Sequence, residues 1–191
     1  MRITNFVNLI VGSPQFRIKG SVSQDAPVYK LYSQVDLAED LTGVKMQGQE
    51  NKQVRTLDKV TTLDKGDIVF SLISGSASII TESHTGYLFT QNYVLLRKKK
   101  DISADFLVYL LNEDRTIKRQ LQIGLQGSMV LKYTVRQLRE LIMPPLPSTD
   151  RQQLIGNVYL KQLRLQALQH RYADNEVLLR LAKIEEIKIH G

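Results

Sequence analysis

The sequence predicts an α+β protein: a strand-rich domain with short helices, followed by a long C-terminal coiled-coil-forming α-helix. Three observations predict it. Residues 1–147 mix short apolar runs with Gly, Ser, Asn and Pro. Their β-branched and aromatic content fits short strands between turns. Residues 149–188 contain no proline and a single glycine, Gly156, with apolar residues at helical spacing. Between the two, Pro144, Pro145 and Pro147 can continue neither a helix nor a central strand. The domains are therefore placed at 1–147 and 148–191.

The elements follow in chain order. Ala26 to Leu31 alternates weakly. Asp67 to Ile73 is a near-continuous apolar run of strand length, entered from a Lys65-Gly66 turn. Ala77 to Thr81 is a second strand, and Thr85-Gly86 turns the chain into a third over Tyr87 to Leu96. Ser103 caps a helix over Ala104 to Asn112, whose Phe106, Leu107, Leu110 and Leu111 share one face. A second helix covers Arg115 to Gln122 and ends at Gly124. Thr134 with Gln137 marks a short third one. Ser148 or Thr149 starts the long helix, and Gln152 stands three residues after Thr149, in capping-box position.

On that last helix Val158, Leu165, Leu168, Tyr172, Leu179 and Ala182 recur on three- and four-residue steps, with Lys161 and Asn175 filling the gaps. This is a heptad-like seam on a helix of about forty residues, roughly 55–60 Å long. One reading folds the helix back on its own domain. The other, which the length favours, pairs it with another long helix. The chain offers no second one, so self-association or a helical partner is implied, with Asn175 setting register.

Charge and composition bound the function. The chain has 191 residues, with 26 Lys+Arg against 19 Asp+Glu, a net charge of +7. Such a surface attracts polyanions: DNA, RNA or anionic lipid. The absence of cysteine excludes disulfides, thiolate metal sites and a cysteine nucleophile. The early apolar run Phe6 to Val11 is six residues long and broken by Asn8, too short for a signal peptide or a membrane span. The expectation is a soluble, cytoplasmic protein with no membrane partner.

Catalytic patterns are missing. His84, His170 and His190 have no neighbours at metal-ligand spacing and read as surface or helix-face residues. There is no nucleophile elbow, no dinucleotide fingerprint and no P-loop. Asp40 with Glu50-x-Lys52 has nuclease-like spacing, but its surroundings are polar and loop-like. No catalytic residue, metal site or cofactor is expected, and binding is the better class.

The candidate nucleic-acid contacts are of three kinds. Arg97, Lys98, Lys99 and Lys100 form a basic run, either a solvated turn or a phosphate contact. Ser74, Ser76, Ser78, Gln91, Asn92, Gln126 and Ser128 are polar side chains able to read base edges from turns and strand ends. Lys30 beside Tyr29, and Lys132 beside Tyr133, can follow the phosphate backbone.

The order of motifs resembles the specificity (S) subunit of type I restriction–modification systems: one target recognition domain and one long helix. Leu63 to Phe70 (LDKGDIVF) is similar to the family's L-x-x-G-D-I-hydrophobic turn and strand. Ser74 to Ser76 and then Gly86 to Asn92, ending Thr90-Gln91-Asn92, are similar to its polar strand opening. Ala104 to Leu111 (ADFLVYLL) looks like its helix, and Gly127 to Leu141 with Ile142 to Pro147 (IMPPLP) looks like its P-x-P close. The likeness is good over about residues 60–165 and looser from Gly12 to Asp40. Where the family has Glu-Gln after the P-x-P, this chain has Arg151-Gln152.

The resemblance implies a non-catalytic, sequence-specific DNA-binding subunit. Full-length members carry two recognition domains and two long helices, so this chain has half of each. It implies a homodimer through antiparallel helices, reading a bipartite inverted repeat in double-stranded DNA. It further implies docking of methyltransferase (modification) subunits and, through them, the restriction subunit, with S-adenosylmethionine and ATP belonging to those partners. Three rivals stand beside it. One is a scaffold or truncated decoy that binds methyltransferase subunits without reading DNA. Another is a nuclease using Asp40, Glu50 and Lys52. The third binds single strands or RNA, and the low aromatic content of 7% without tryptophan disfavours it.

Overall fold

In the computed structural model of the chain, residues 1–46, 50–100, 102–124 and 132–190 are described. Six strands and five helices are defined among them. In chain order these are β1 (Val7–Val11), β2 (Val28–Lys30), α1 (Gln34–Thr42), β3 (Gln53–Arg55), β4 (Ile68–Ser71), β5 (Ala77–Ile79) and β6 (Tyr93–Lys98). After them come α2 (Ala104–Glu113), α3 (Arg115–Ile123), α4 (Val135–Glu140) and α5 (Thr149–His190). Strands β1, β6, β4 and β5 form an antiparallel sheet in that order, and β2 pairs with β3 in a separate ribbon.

The pleat explains the near-continuous apolar strands. Alternate residues of one strand point to opposite faces. Ile68, Phe70, Val94 and Leu96 face one cluster with Phe106, Leu107, Leu111 and Ile117 from the helices. Val69, Tyr93 and Leu95 face a second cluster with Tyr32, Leu37, Leu63 and Phe89. A sheet covered on both sides needs apolar residues at every position, not at every other one.

The edge of β5 is closed by a side chain. Asn112 of α2 accepts from the Ala77 N–H at 2.7 Å and donates to the Ala77 carbonyl at 2.9 Å. One amide thus imitates a neighbouring strand and blocks edge-to-edge pairing. In the adjoining turn between β4 and β5, Gly75 has φ +71°, and a Cβ there would lie 2.3 Å from the Tyr133 ring. Only glycine meets both demands.

Several expectations change. Tyr87 to Leu96 is not one strand: Leu88 and Thr90 form isolated bridges, Gln91 and Asn92 turn, and β6 begins only at Tyr93. Helix α1 was not expected. Its start is nevertheless written in the sequence, because Ser33 and Asp36 form a reciprocal capping box. Gln152 does not close a box with Thr149. Its buried side chain accepts from the Ser103 N–H and donates to the Pro147 carbonyl, bolting α2 to the start of α5.

Helix α5 spans 42 residues, roughly 63 Å at 1.5 Å per residue. Its first half does lie against its own domain, through Gln152, Ile155, Gly156, Tyr159, Leu160, Leu163 and Ala167. A Cβ on Gly156 would come within 2.6 Å of Asp105 and Phe106 backbone atoms, so this glycine lets α2 and α5 approach. Beyond Ala167 nearly every residue is exposed. Among the described residues no helix is long and apolar enough to cross a membrane.

Candidate nucleic-acid interface

Strands β4 and β6 run antiparallel, with Ser71 opposite Tyr93. The C-terminal end of β4 therefore meets the N-terminal end of β6. Here the Ser74–Ser76 turn and the Gln91–Asn92 turn emerge at one end of the sheet. Ser74 and Gln91 are exposed, and Ser76 and Asn92 are partly so. The Gln91 N–H donates to the Ser13 carbonyl, and the Leu72 N–H to the Asn92 carbonyl, fixing both turns. Lys132 joins them: its Nζ lies 2.6 Å from Asn92 Oδ1. That contact occupies the Asn92 carbonyl and leaves its amide as a donor, suited to base-edge acceptors such as purine N7.

Two polar neighbours of this end, Gln15 and Asn51, are unmarked in the sequence, and a third, Lys52, figured there only in the nuclease spacing. Gln15, Asn51 and Lys52 line a cleft of about 270 Å³ that also includes Asn92. No local periodicity marks them, since they come from loops distant in sequence. Gln34 lies close by, donating to Ser71 and to Tyr93 OH at 2.7 Å. Burial, opposed by that Gln34 contact, pushes the Tyr93 hydroxyl up to about 12, so it remains a neutral hydrogen-bonding group.

The basic run sits elsewhere. Lys98 ends β6 opposite Val7, six residues and roughly 20 Å from Asn92 at the usual strand rise. Lys98 and Lys99 are exposed, and Lys99 Nζ reaches the Thr4 carbonyl at 3.2 Å. Lys30 projects from β2, its Nζ 5.7 Å from the centre of the Tyr87 ring. Lys98 and Lys99 thus lie away from the Ser74–Ser76 and Gln91–Asn92 turns, whereas Lys132 sits on them. Ser78 requires correction as a DNA contact: it is fully buried in β5 and lies 3.3 Å from Tyr32 OH. Gln126 and Ser128 lie outside the described residues.

The nuclease spacing does not assemble into a site. Asp40 is buried and committed to Tyr32 OH at 2.7 Å, the Thr81 N–H and hydroxyl, and His84 Nδ1. Glu50 is exposed on a loop.

His84 also requires correction. It is not a surface residue but is buried between Asp40 at 2.8 Å, Asp36 at 3.2 Å and Glu39 at 3.4 Å. Burial alone would lower its pKa, but the Asp36 and Asp40 carboxylates outweigh that and hold it at about 9. Asp36 shifts the other way, to below its ordinary value: burial opposes its charge, and His84, Ser33 and Asn51 stabilise it more. Sequence spacing hid this because the partners lie more than forty residues away, on α1.

The predicted helix seam lies free. Val158, Leu165, Leu168, Tyr172 and Leu179 are all exposed, at 45–71%; Asn175 and Ala182 continue the line and are also exposed. On the 3.6-residue period the seam falls on the side of α5 nearly opposite the stripe that contacts the domain. Leu154, 64% exposed, extends it by one step.

No protein-family model matches the chain, and no curated protein does. Solved structures do. The HsdS subunit from Thermoanaerobacter tengcongensis aligns at TM-score 0.57 and 16% identity, over 91% of this chain and 39% of that one. The type I restriction-modification system S subunit from M. genitalium aligns at 0.52 and 16%, over 95% and 41%. A chain from the structural work on complex assembly and conformational transition of the type I R-M system aligns at 0.60 and 16%, over 97% and 43%. The chain has the fold of these structures, two of them S subunits, and spans about two-fifths of their length.

Proposed function

We propose that the chain acts as a half-size specificity subunit of a type I restriction–modification system. In this reading residues 1–147 form the target recognition domain and 148–191 the dimerisation and spacer helix. The observation that carries it is a pair of halves. The fold accounts for nearly all of this chain but under half of each structure it matches. At the same time α5 carries an apolar seam turned away from its own domain. A second copy, packed antiparallel, covers that seam and supplies a second recognition domain. A two-fold dimer is also the commonest closed assembly.

Each domain presents the sheet end bearing Ser74, Ser76, Gln91, Asn92 and Lys132 to the major groove of duplex DNA. Gln126 and Ser128 belong to the same proposed set. Lys30, Lys98 and Lys99 hold phosphates and set orientation. Two identical readers on a rigid spacer select an inverted repeat around unread sequence. The helix pair docks methyltransferase subunits, and those bring the restriction subunit. This chain supplies recognition and no chemistry, in the cytoplasm.

The test is selection from random duplexes by the purified chain. An inverted repeat with an unread centre is expected. Gln91→Ala should relax one base position in each half-site. Lys98→Ala or Lys99→Ala should weaken all sequences alike and reduce the salt slope by about one each. Sequence-blind binding would favour the scaffold reading, and equal loss on every duplex from Gln91→Ala would remove that residue from base reading.

A further inference from the structure

We propose that Asp36, Glu39 and His84 form a site for one divalent cation of the zinc class, independent of DNA recognition. Its protein ligands are His84 Nε2 and one oxygen from each carboxylate, and the remaining position opens to the adjoining hollow.

Asp36 and Glu39 stand three residues apart on α1, hence on one face. His84 comes from the short turn Glu82–His84. The three ligand atoms lie within 4.8 Å of one another, with Nε2 at 3.2 Å from Asp36 Oδ1 and 3.4 Å from Glu39 Oε2. Ligands held at about 2.0–2.1 Å around a tetrahedral ion stand about 3.3 Å apart. Charge-assisted N–H···O bonds are shorter, about 2.7–2.9 Å, and a single Nε2–H cannot point at two oxygens. The spacing fits ligands around a shared ion.

A second observation is the shell behind the ligands. His84 Nδ1 lies 2.8 Å from Asp40, whose side chain is fully buried. That contact turns Nε2 toward the trio, as the carboxylate partner of a metal-binding histidine does. Asp36 spends Oδ2 on the Ser33 N–H and hydroxyl and on Asn51, leaving Oδ1 to the centre. Glu39 likewise spends Oε1 on the Met46 N–H and leaves Oε2. Each carboxylate is thus oriented through one oxygen and offers the other.

Charge points the same way. Three carboxylates surround one imidazole, and among the described residues no lysine or arginine forms an ion pair with them. Lys45 lines the hollow of about 210 Å³ beside them without such a bridge. One nitrogen and two oxygen ligands suit Zn²⁺ first and Mn²⁺ more weakly. The bound ion would staple α1 to the turn that follows β5.

The experiment uses the full chain stripped with chelator. Co²⁺ is followed by visible absorption and Zn²⁺ by calorimetry and thermal melting. One equivalent should bind, with a rise in Tm. Glu39→Gln, at the most exposed of the three ligands, should keep the fold and weaken binding roughly tenfold or more. His84→Gln should abolish binding, whereas His170→Gln should leave it unchanged. If His84→Gln does not fold, Glu39→Gln decides the matter alone. No saturable binding, equal affinity in Glu39→Gln, or loss in His170→Gln would each overturn the site and leave an ion-pair network.

Discussion

Burial opposes a charge on His84, and the carboxylates around it reverse the outcome. In the metal-free chain its pKa stands at about 9 against an ordinary 6.5. A raised folded-state pKa means stability that is complete below about pH 6.5 and lost as pH rises through about 9. Asp36 behaves oppositely: lowered from 3.8, it contributes above that value and is lost as pH falls through its folded pKa. Asp40 and Glu39 face the same ring, with Lys45 and Tyr87 lining the hollow. In the presence of chelator, Tm should therefore be higher near pH 6 than near pH 9, and His84→Gln should flatten that alkaline decline. A wild-type Tm that does not change across this window would show that the ring is not held charged. None of this was legible locally, since the ring and its carboxylates meet only when α1 packs on the turn after β5.

Helix α5 has two faces in different surroundings, one packed and one exposed. One packs on α2 through Gly156, where a Cβ would meet backbone atoms of Asp105 and Phe106. Backbone cannot step aside as a flexible side chain can. Gly156→Ala should cost about 1–3 kcal/mol, seen as a Tm lower by several degrees and faster hydrogen exchange along α2. An unchanged Tm would mean the two helices separate freely. The period-3.6 pattern announced the helix, and the lone glycine was visible within it. Which face met the domain was not, because both the contact stripe and the seam carry apolar residues at helical spacing. Helix α1 was overlooked although its Ser33–Asp36 capping box was present, because its buried face is short and partly acidic: Asp36, Leu37 and Asp40.

Only the first half of the 42-residue helix α5 is supported by its own domain, and the proposed partner for the rest is a second such helix. Leu165 and Leu168, 49% and 45% exposed, touch no core of their own chain. Leu165→Asp with Leu168→Asp should therefore convert a sedimenting dimer to monomer while leaving the melting of residues 1–147 intact. A wild-type chain that sediments as a monomer at micromolar concentration would remove the seam's proposed role. Near-neighbour chemistry alone specifies the proline break before α5, helices α2 to α5, the Ser103 and Thr134 caps, and strands β4 and β5. Periodicity and capping act within a few residues, so they can be read along the chain. Long-range packing settled the remainder. It divided Gln91 and Asn92 from Lys98 and Lys99 by the length of β6, withdrew Ser78 into the core, and gathered Asp36, Glu39, Asp40 and His84 around one ring. Those outcomes depend on which segments pack together, and packing joins residues that sequence distance keeps apart.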